Sequence, residues 1–555
     1  MEDLPSIHQD LVLVINDVSY QLVDHGGTIN GYPGALITRR DATPFILYNI
    51  SEGATISETH LEDFRSRTDF LRLIVFYGAE ESGLDLQTSA VQLLKETWKA
   101  GWEFTKFPNA PVFDGGLYVG YRGRIFQPWR IYHDENLTMT VTYQLHKGTL
   151  TGVSSLRIVV PPQSYSRSTP TPNKPLKGVT IAVKDMFDIE GSKTTLCNRA
   201  WAEYQSPKEK TAPSIKRLQD LGAWVVGKTR LNAMIIREET MECVERLAPH
   251  NPRGDGYQTS SGSSSGSCAA VGAYPWVDFA IGSDTVESLL IGMGVLQSDQ
   301  HTAQLTSGPK TGTRILYPLD YLPTTNKAQM KFIDSFVEDL EDMLGTKRSI
   351  ISLAELWRES SPESVTEKDL SEYLKTASCL YAGTLPYYKD AIEMVKEFYD
   401  GYTKEFGKTP FLHRALRWRW ETADKVTPEE RDEGWERIYT YRKWLLDNIF
   451  TEGSILVLPI DEGRPNYRDA PPPPFGLLSG YSSLYISRIA GFPEVTAPIG
   501  EIVYDSDITH REEPLPISVS VAAPPGTDLA LIDLVHQTLE KGGKPIRLDT
   551  GRSIL

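Results

Sequence analysis

The sequence predicts an α/β domain, a sheet with parallel strands covered by helices, preceded by a smaller α+β unit. Three observations carry this expectation. A strand–helix–strand alternation runs from VTIAV at Val179 through SIKRLQDLG to AWVVG, the pattern of a parallel βαβ unit. RSTPTPNKPLKG, residues 167–178, is a Pro-rich polar break. Before it, DLVLVINDVSYQLV and TMTVTYQLHKG alternate apolar and polar positions as half-buried strands do, whereas TSAVQLLKETWKAGWEF has helical spacing. The chain therefore divides into an N-terminal unit at 1–166, a linker at 167–178 and a main domain at 179–555.

In the N-terminal unit His60, His133, Tyr118 and Tyr121 are scattered and read as structural residues, with no chemical motif among them. In the main domain Val179 to Val183 is a β-branched run suited to a buried parallel strand. Lys184 follows at its carboxyl end, where open α/β sheets place ligand sites. Residues 227–257 are rich in turn formers. KAQMKFIDSFVEDLEDMLG sets Met330, Ile333, Phe336, Val337, Leu340 and Leu344 on one helical face. Further helices are expected between Thr366 and Phe450, with RALRWRWE a packing helix. GSILVLPI reads as a buried strand, SRIAGFPEVTAPIG and LPISVSVAAPPG as late core strands, and ALIDLVHQTLEKGG as a closing helix.

Composition narrows the function. A net charge of −16 argues against nucleic acid, which needs a concentrated positive field. No apolar run approaches a membrane span. The start, MEDLPSIHQDLVLVIND, lacks the basic region of a secretion signal, which predicts a cytoplasmic protein. Cys197, Cys243, Cys268 and Cys379 show no CxxC spacing and the histidines no HExxH pair, so reduced thiols and no metal are expected.

The chemistry concentrates in residues 260–288, SSGSSSGSCAAVGAYPWVDFAIGSDTVES, with eight serines and four glycines. Small residues let backbone segments approach closely, as a site built from main-chain N–H groups requires. GSSSG formally matches the GxSxG nucleophile elbow, but PRGDGYQTS before it is turn-like where an elbow needs a strand. A serine can instead be activated by a neutral lysine through a second serine, because desolvation lowers a lysine pKa.

KGVTIAVKD, GAWVVGKTRLN, NPRGDGYQTSSGSSSGSCAA, AIGSDTVES and RIAGFPEVTAPIG, in that order, resemble the amidase signature family of serine hydrolases. NPRGDGYQ is similar to its filamentous-fungal members. The similarity runs from about Lys174 to the C-terminus. It implies a mixed, mostly parallel sheet wrapped by helices and a Ser-cisSer-Lys triad, with Lys184 as terminal base, Ser263 as bridging serine in a cis peptide and Ser288 as nucleophile. Ser264 is the nearest rival for the bridging role. Asp284, Thr285, Val286 and Glu287 would form the oxyanion loop. The implied reaction is hydrolysis of a small-molecule carboxamide through an acyl-enzyme, without a cofactor.

The chain departs from that pattern just after its centre. Val286 and Glu287 stand where the family carries two glycines, and Leu290 where it carries arginine. Only 25 residues, 289–313, precede RILYPLDYLP, far fewer than the family spends there. Loss of hydrolysis or a shifted reading frame between Val286 and about Lys310 would produce such a segment. The competing expectation is thus a catalytically silent member that uses the cleft to bind a ligand or as a scaffold.

Overall fold

The computed structural model describes segments of residues 12–162 and, beyond them, 171–236, 238–260, 262–283, 313–375, 385–475 and 481–554. The described residues form α/β architecture: mixed sheets with helices packed on them.

The N-terminal unit is built on an eight-stranded sheet. Its central strands Thr43–Asn49, Leu73–Tyr77 and Gly101–Thr105 run parallel, and the remainder pair antiparallel. Ile46, Ile74, Phe76 and Val119 are fully buried, and Leu94 packs with them. The sequence TSAVQLLKETWKAGWEF is helical only to Thr97 and then becomes the strand Gly101–Thr105. Tyr118 is buried with its ring 5.8 Å from that of Phe45, and Tyr121 packs near Phe126. His133 is exposed, and His60 lies outside the described residues.

A second sheet carries the site. Its order is Thr149–Val153, Met139–His146, Trp224–Thr229, Thr180–Lys184 and Phe279–Ile281. The last three run parallel, as the strand–helix–strand pattern predicts, with helix Pro213–Asp220 as the crossover. The first two belong to the 1–166 segment, so this sheet crosses the sequence-drawn boundary: Met139, Val141 and Thr142 pair antiparallel with Gly227–Thr229. A Pro-rich stretch marks a polar loop, but strand pairing across it is non-local and leaves no mark in composition.

The third sheet has the order Ser349–Ile351, Arg314–Pro318, Ser454–Pro459, Glu512–Ala522 and Glu494–Asp505. Its first three strands are parallel and its last three antiparallel. Helix Lys327–Leu344 lays Met330, Ile333, Phe336, Val337 and Leu340 on one face of this sheet beside Asp528–Lys541. The other face packs Trp357, Tyr441, Trp444 and Leu445. Arg414–Ala423 is a helix, with Trp420 against Tyr399 and Trp418 against Phe475. No helix among the described residues is long and apolar enough to cross a membrane.

Candidate active site

The strand Thr180–Lys184 is buried throughout, and its last residue brings an amine to the end of the sheet. Lys184 is fully buried. Its Nζ lies 2.7 Å from Ser263 Oγ, 3.0 Å from Ser264 Oγ and 2.5 Å from Ser283 Oγ. The structure thus brings Lys184 and Ser263 together, and the Gly262–Ser263 peptide is cis. Ser288 and the loop residues Asp284, Thr285, Val286 and Glu287 lie outside the described residues, as does everything to residue 312.

The two neighbouring serines are not equivalent. Ser264 Oγ donates to the carbonyl of Ser283 at 3.0 Å and accepts from the N–H of the same residue at 3.0 Å. A hydroxyl has one proton and two lone pairs, so with Lys184 beside it Ser264 is saturated. Ser263 Oγ faces Lys184 and keeps bonding capacity for a further partner. Its own carbonyl accepts from Asn232 N–H at 3.1 Å.

The serine-rich segment reaches the lysine because its helix is wedged in. Ser265–Ala273 begins right after Ser264, and Gly266 N–H donates to Arg230 O at 3.0 Å. A β-carbon on Gly266 would stand 2.6 Å from the backbone of both Arg230 and Thr138, so only glycine permits this approach. Ser267 Oγ, one residue on, lies 2.7 Å from Thr229 Oγ1 and donates to Ile281 O.

Ser283 was absent from the sequence-based assignments. Val183 pairs with Ile281 in parallel register, which leaves Ser283 just past the strand end, beside Lys184. The signal was a hydroxyl two residues beyond a strand adjacent to that of the lysine, and it required the register.

Successive residues of extended chain point to opposite sides, so Asp185 leaves this cluster. Its Oδ1 pairs with Lys228 Nζ at 2.8 Å, both side chains fully buried. Lys228 also donates to Lys193 O and Thr194 Oγ1, and Thr195 Oγ1 donates to Asp185 Oδ2. Removing one partner of such a pair strands a buried charge, whereas the intact, fully bonded pair holds its surroundings fixed.

Among the described residues no group of three or more His, Cys, Asp or Glu could hold a metal ion. Cys197, Cys243 and Cys268 are free thiols, and Cys379 lies outside the described residues. Burial pushes the thiols of Cys197 and Cys243 up to about 12.

The family model described as Amidase matches residues 163–291, the segment that supplies Lys184 and Ser263. The chain is 40% identical over 116 residues to a glutamyl-tRNA(Gln) amidotransferase polypeptide of Natronomonas pharaonis, 21% of this chain and 26% of that protein. It is 36% identical over 135 residues to "Amidase 1" of Arabidopsis thaliana, 24% of this chain and 30% of that protein. Against "Amidase 1" of Oryza sativa it is 25% identical over 431 residues, 69% of this chain and 93% of that protein. Among solved structures it is similar to a Kluyveromyces lactis allophanate hydrolase, with a TM-score of 0.48 and 17% identity, covering 71% of this chain and 66% of that one. The matches of higher identity thus span less than a third of their relatives' length. Through residues 163–291 the chain belongs to the amidase family.

Proposed function

We propose that the protein hydrolyses the C–N bond of a small-molecule carboxamide in the cytoplasm, through an acyl-enzyme, with Lys184, Ser263 and Ser288 as proton relay and nucleophile. The observation that carries this reading is the 2.7 Å contact between the buried Lys184 amine and Ser263 Oγ. The saturation of Ser264 favours Ser263 as the bridge.

In this mechanism the unprotonated Lys184 amine draws the proton of Ser263, which takes that of Ser288. Ser288 Oγ forms a bond to the amide carbon, and the carbonyl oxygen gains negative charge against the main chain of residues 284–287. The tetrahedral species collapses, the C–N bond breaks, and the relay returns the proton to the departing nitrogen. Water, deprotonated through the same relay, then attacks the ester, releases the acid and restores Ser288. No step calls for a cofactor. Such relay and nucleophile roles are worth many orders of magnitude in rate, and removing the nucleophile alone loses most of it.

The test is turnover of a panel of aryl and aliphatic amides, with labelling by a fluorophosphonate probe. The wild-type chain should hydrolyse at least one amide and take one label on Ser288. Ser288→Ala should lose at least about a thousandfold in kcat and the label with it. Turnover unchanged in Ser288→Ala would overturn the assignment, and a wild-type chain that neither labels nor turns over would show a silent binding protein.

A further inference from the structure

The carbonyl of Ser263 is held by Asn232 N–H, and Asn232 opens a turn that its own residues do not favour. Met234 and Ile235 have φ of 55° and 65°, a region that a β-branched side chain rarely adopts. Such a conformation persists only where the surroundings impose it. Two buried side chains do so by gripping the peptide groups of Ala233. Glu238 Oε2 accepts from Ala233 N–H at 2.9 Å, and His413 Nε2 lies 3.0 Å from Ala233 O. Met234 N–H adds a bond to Leu196 O.

The partners fix the protonation of this clamp. A carbonyl only accepts, so His413 Nε2 carries a proton. His413 Nδ1 receives Leu416 N–H at 3.3 Å, so it presents a lone pair and the ring is neutral. Glu238 Oε1 lies 3.2 Å from the same Nδ1. An ionised carboxylate would face that lone pair without a proton between them, whereas a protonated carboxyl donates to it. Glu238 and His413 are 6% and 2% exposed, which places the contact away from water.

We propose that Glu238 and His413 form a neutral, hydrogen-bonded clamp on Ala233 that positions Ser263 against Lys184, with Glu238 a positioning residue whose ionisation releases the clamp. The surroundings agree. Burial, with Glu242 and Glu245 nearby, pushes the Glu238 carboxyl up to about 8. Burial, with Arg419 and Arg417 on the following helix, lowers the His413 imidazole to about 4. Cys243 Sγ lies 3.9 Å from Glu238 Oε2, Glu242 is paired with Arg414, and Glu245 is held by Asn198 and Arg199 N–H. None of these places a cation on Glu238.

The sign follows from linkage. A carboxyl whose pKa is higher folded than unfolded stabilises the fold fully below its ordinary value of 4.5, and that contribution is lost as pH rises through about 8. His413, lowered from 6.5, contributes above 6.5 and loses that contribution as pH falls through about 4.

Only the catalytic readout of this inference rests on the proposed hydrolysis. Two measurements need no chemistry. Thermal unfolding of wild type and Glu238→Gln should be compared from pH 5 to 9. Glutamine keeps an acceptor for Ala233 and a donor for His413 but does not titrate. The wild-type Tm should fall relative to that of Glu238→Gln as pH rises, levelling off above about pH 8. A pH-independent difference would overturn the clamp. Hydrogen–deuterium exchange at pH 7 should show Glu238→Ala deprotecting both peptides around 229–236 and 258–266, with Glu238→Gln restoring protection. Deprotection of the first peptide alone would overturn the link to Ser263, and if the alanine variant does not fold, exchange in wild type at pH 9 against Glu238→Gln reads the same link. With fluorophosphonate, wild-type labelling should slow about tenfold above pH 8 while Glu238→Gln stays level. Equal slowing in both would overturn the positioning role. An unlabelled wild type with the expected Tm and exchange patterns would refute the hydrolase reading and leave the clamp standing.

Discussion

Three hydroxyls surround one buried amine, and their other partners rank them. Ser264 spends its proton and its lone pairs on Ser283 and Lys184, which makes it a brace for the Ser283 backbone. Ser283 offers Lys184 a hydroxyl, while its main chain is held by Ser264 whatever its side chain. Ser263 combines contact with Lys184, spare bonding capacity and a backbone anchor on Asn232. Replacing the relay removes general-base transfer, worth about 10²–10⁴ in rate. Removing one hydrogen bond to the amine costs about 1–3 kcal/mol, or roughly tenfold to a hundredfold. Ser263→Ala should therefore slow fluorophosphonate labelling more than Ser283→Ala, with both variants melting near wild type. The reverse order would transfer the relay role to Ser283.

The helix Ser265–Ala273 is the element that fixes where these hydroxyls stand. Its entry is set by Gly266, whose missing side chain lets the helix sit on the backbone of Arg230 and Thr138. Backbone atoms cannot yield as a flexible side chain would. Gly266→Ala should therefore lower stability by about 1–3 kcal/mol, the usual cost of overpacking, and slow labelling through displacement of Ser263. Val271→Ala, at an exposed position of the same helix, should change neither. Equal melting temperatures for all three proteins would show that the wedge does not constrain the helix.

The same element shows what could be read from sequence. The run Val179–Val183 with a lysine behind it announced the strand and the amine, because burial on both faces selects β-branched residues locally. The face of helix Lys327–Leu344 was legible for the same reason, since its period of 3.6 is local. Ser283 beside Lys184 was not, because it depends on the register between Val183 and Ile281. The turn at Met234 and Ile235 was equally hidden, since left-handed backbone is announced by glycine and here is imposed on other residues by Glu238 and His413. The strand Gly101–Thr105 escaped because its partner, Leu73–Tyr77, is remote in sequence.

At the scale of the whole molecule the N-terminal segment is part of the site's sheet rather than an appendage. Met139, Val141 and Thr142 close the edge of Trp224–Thr229. Ile158 and Val160 share a buried cluster with Ala182, Val226, Ala270 and Trp276. Asp134 Oδ1 accepts from Thr138 N–H and from Tyr274 OH at 2.7 Å each, tying the start of the hairpin to the end of the serine-rich helix. A chain cut to begin at Gln163, where the family match starts, would lose all of these. It would expose both an apolar face and the backbone of Gly227–Thr229, and an open strand edge recruits other chains. The 163–555 fragment should therefore aggregate on expression or melt without a cooperative transition. A fragment beginning at Arg124 keeps the hairpin and the pairing of Arg157–Val160 with Arg130–His133, and it should be recovered in higher soluble yield. Soluble yield and unfolding curves decide the matter: a shorter fragment that melts cooperatively at the full-length temperature would show that the sheet closes without its N-terminal strands.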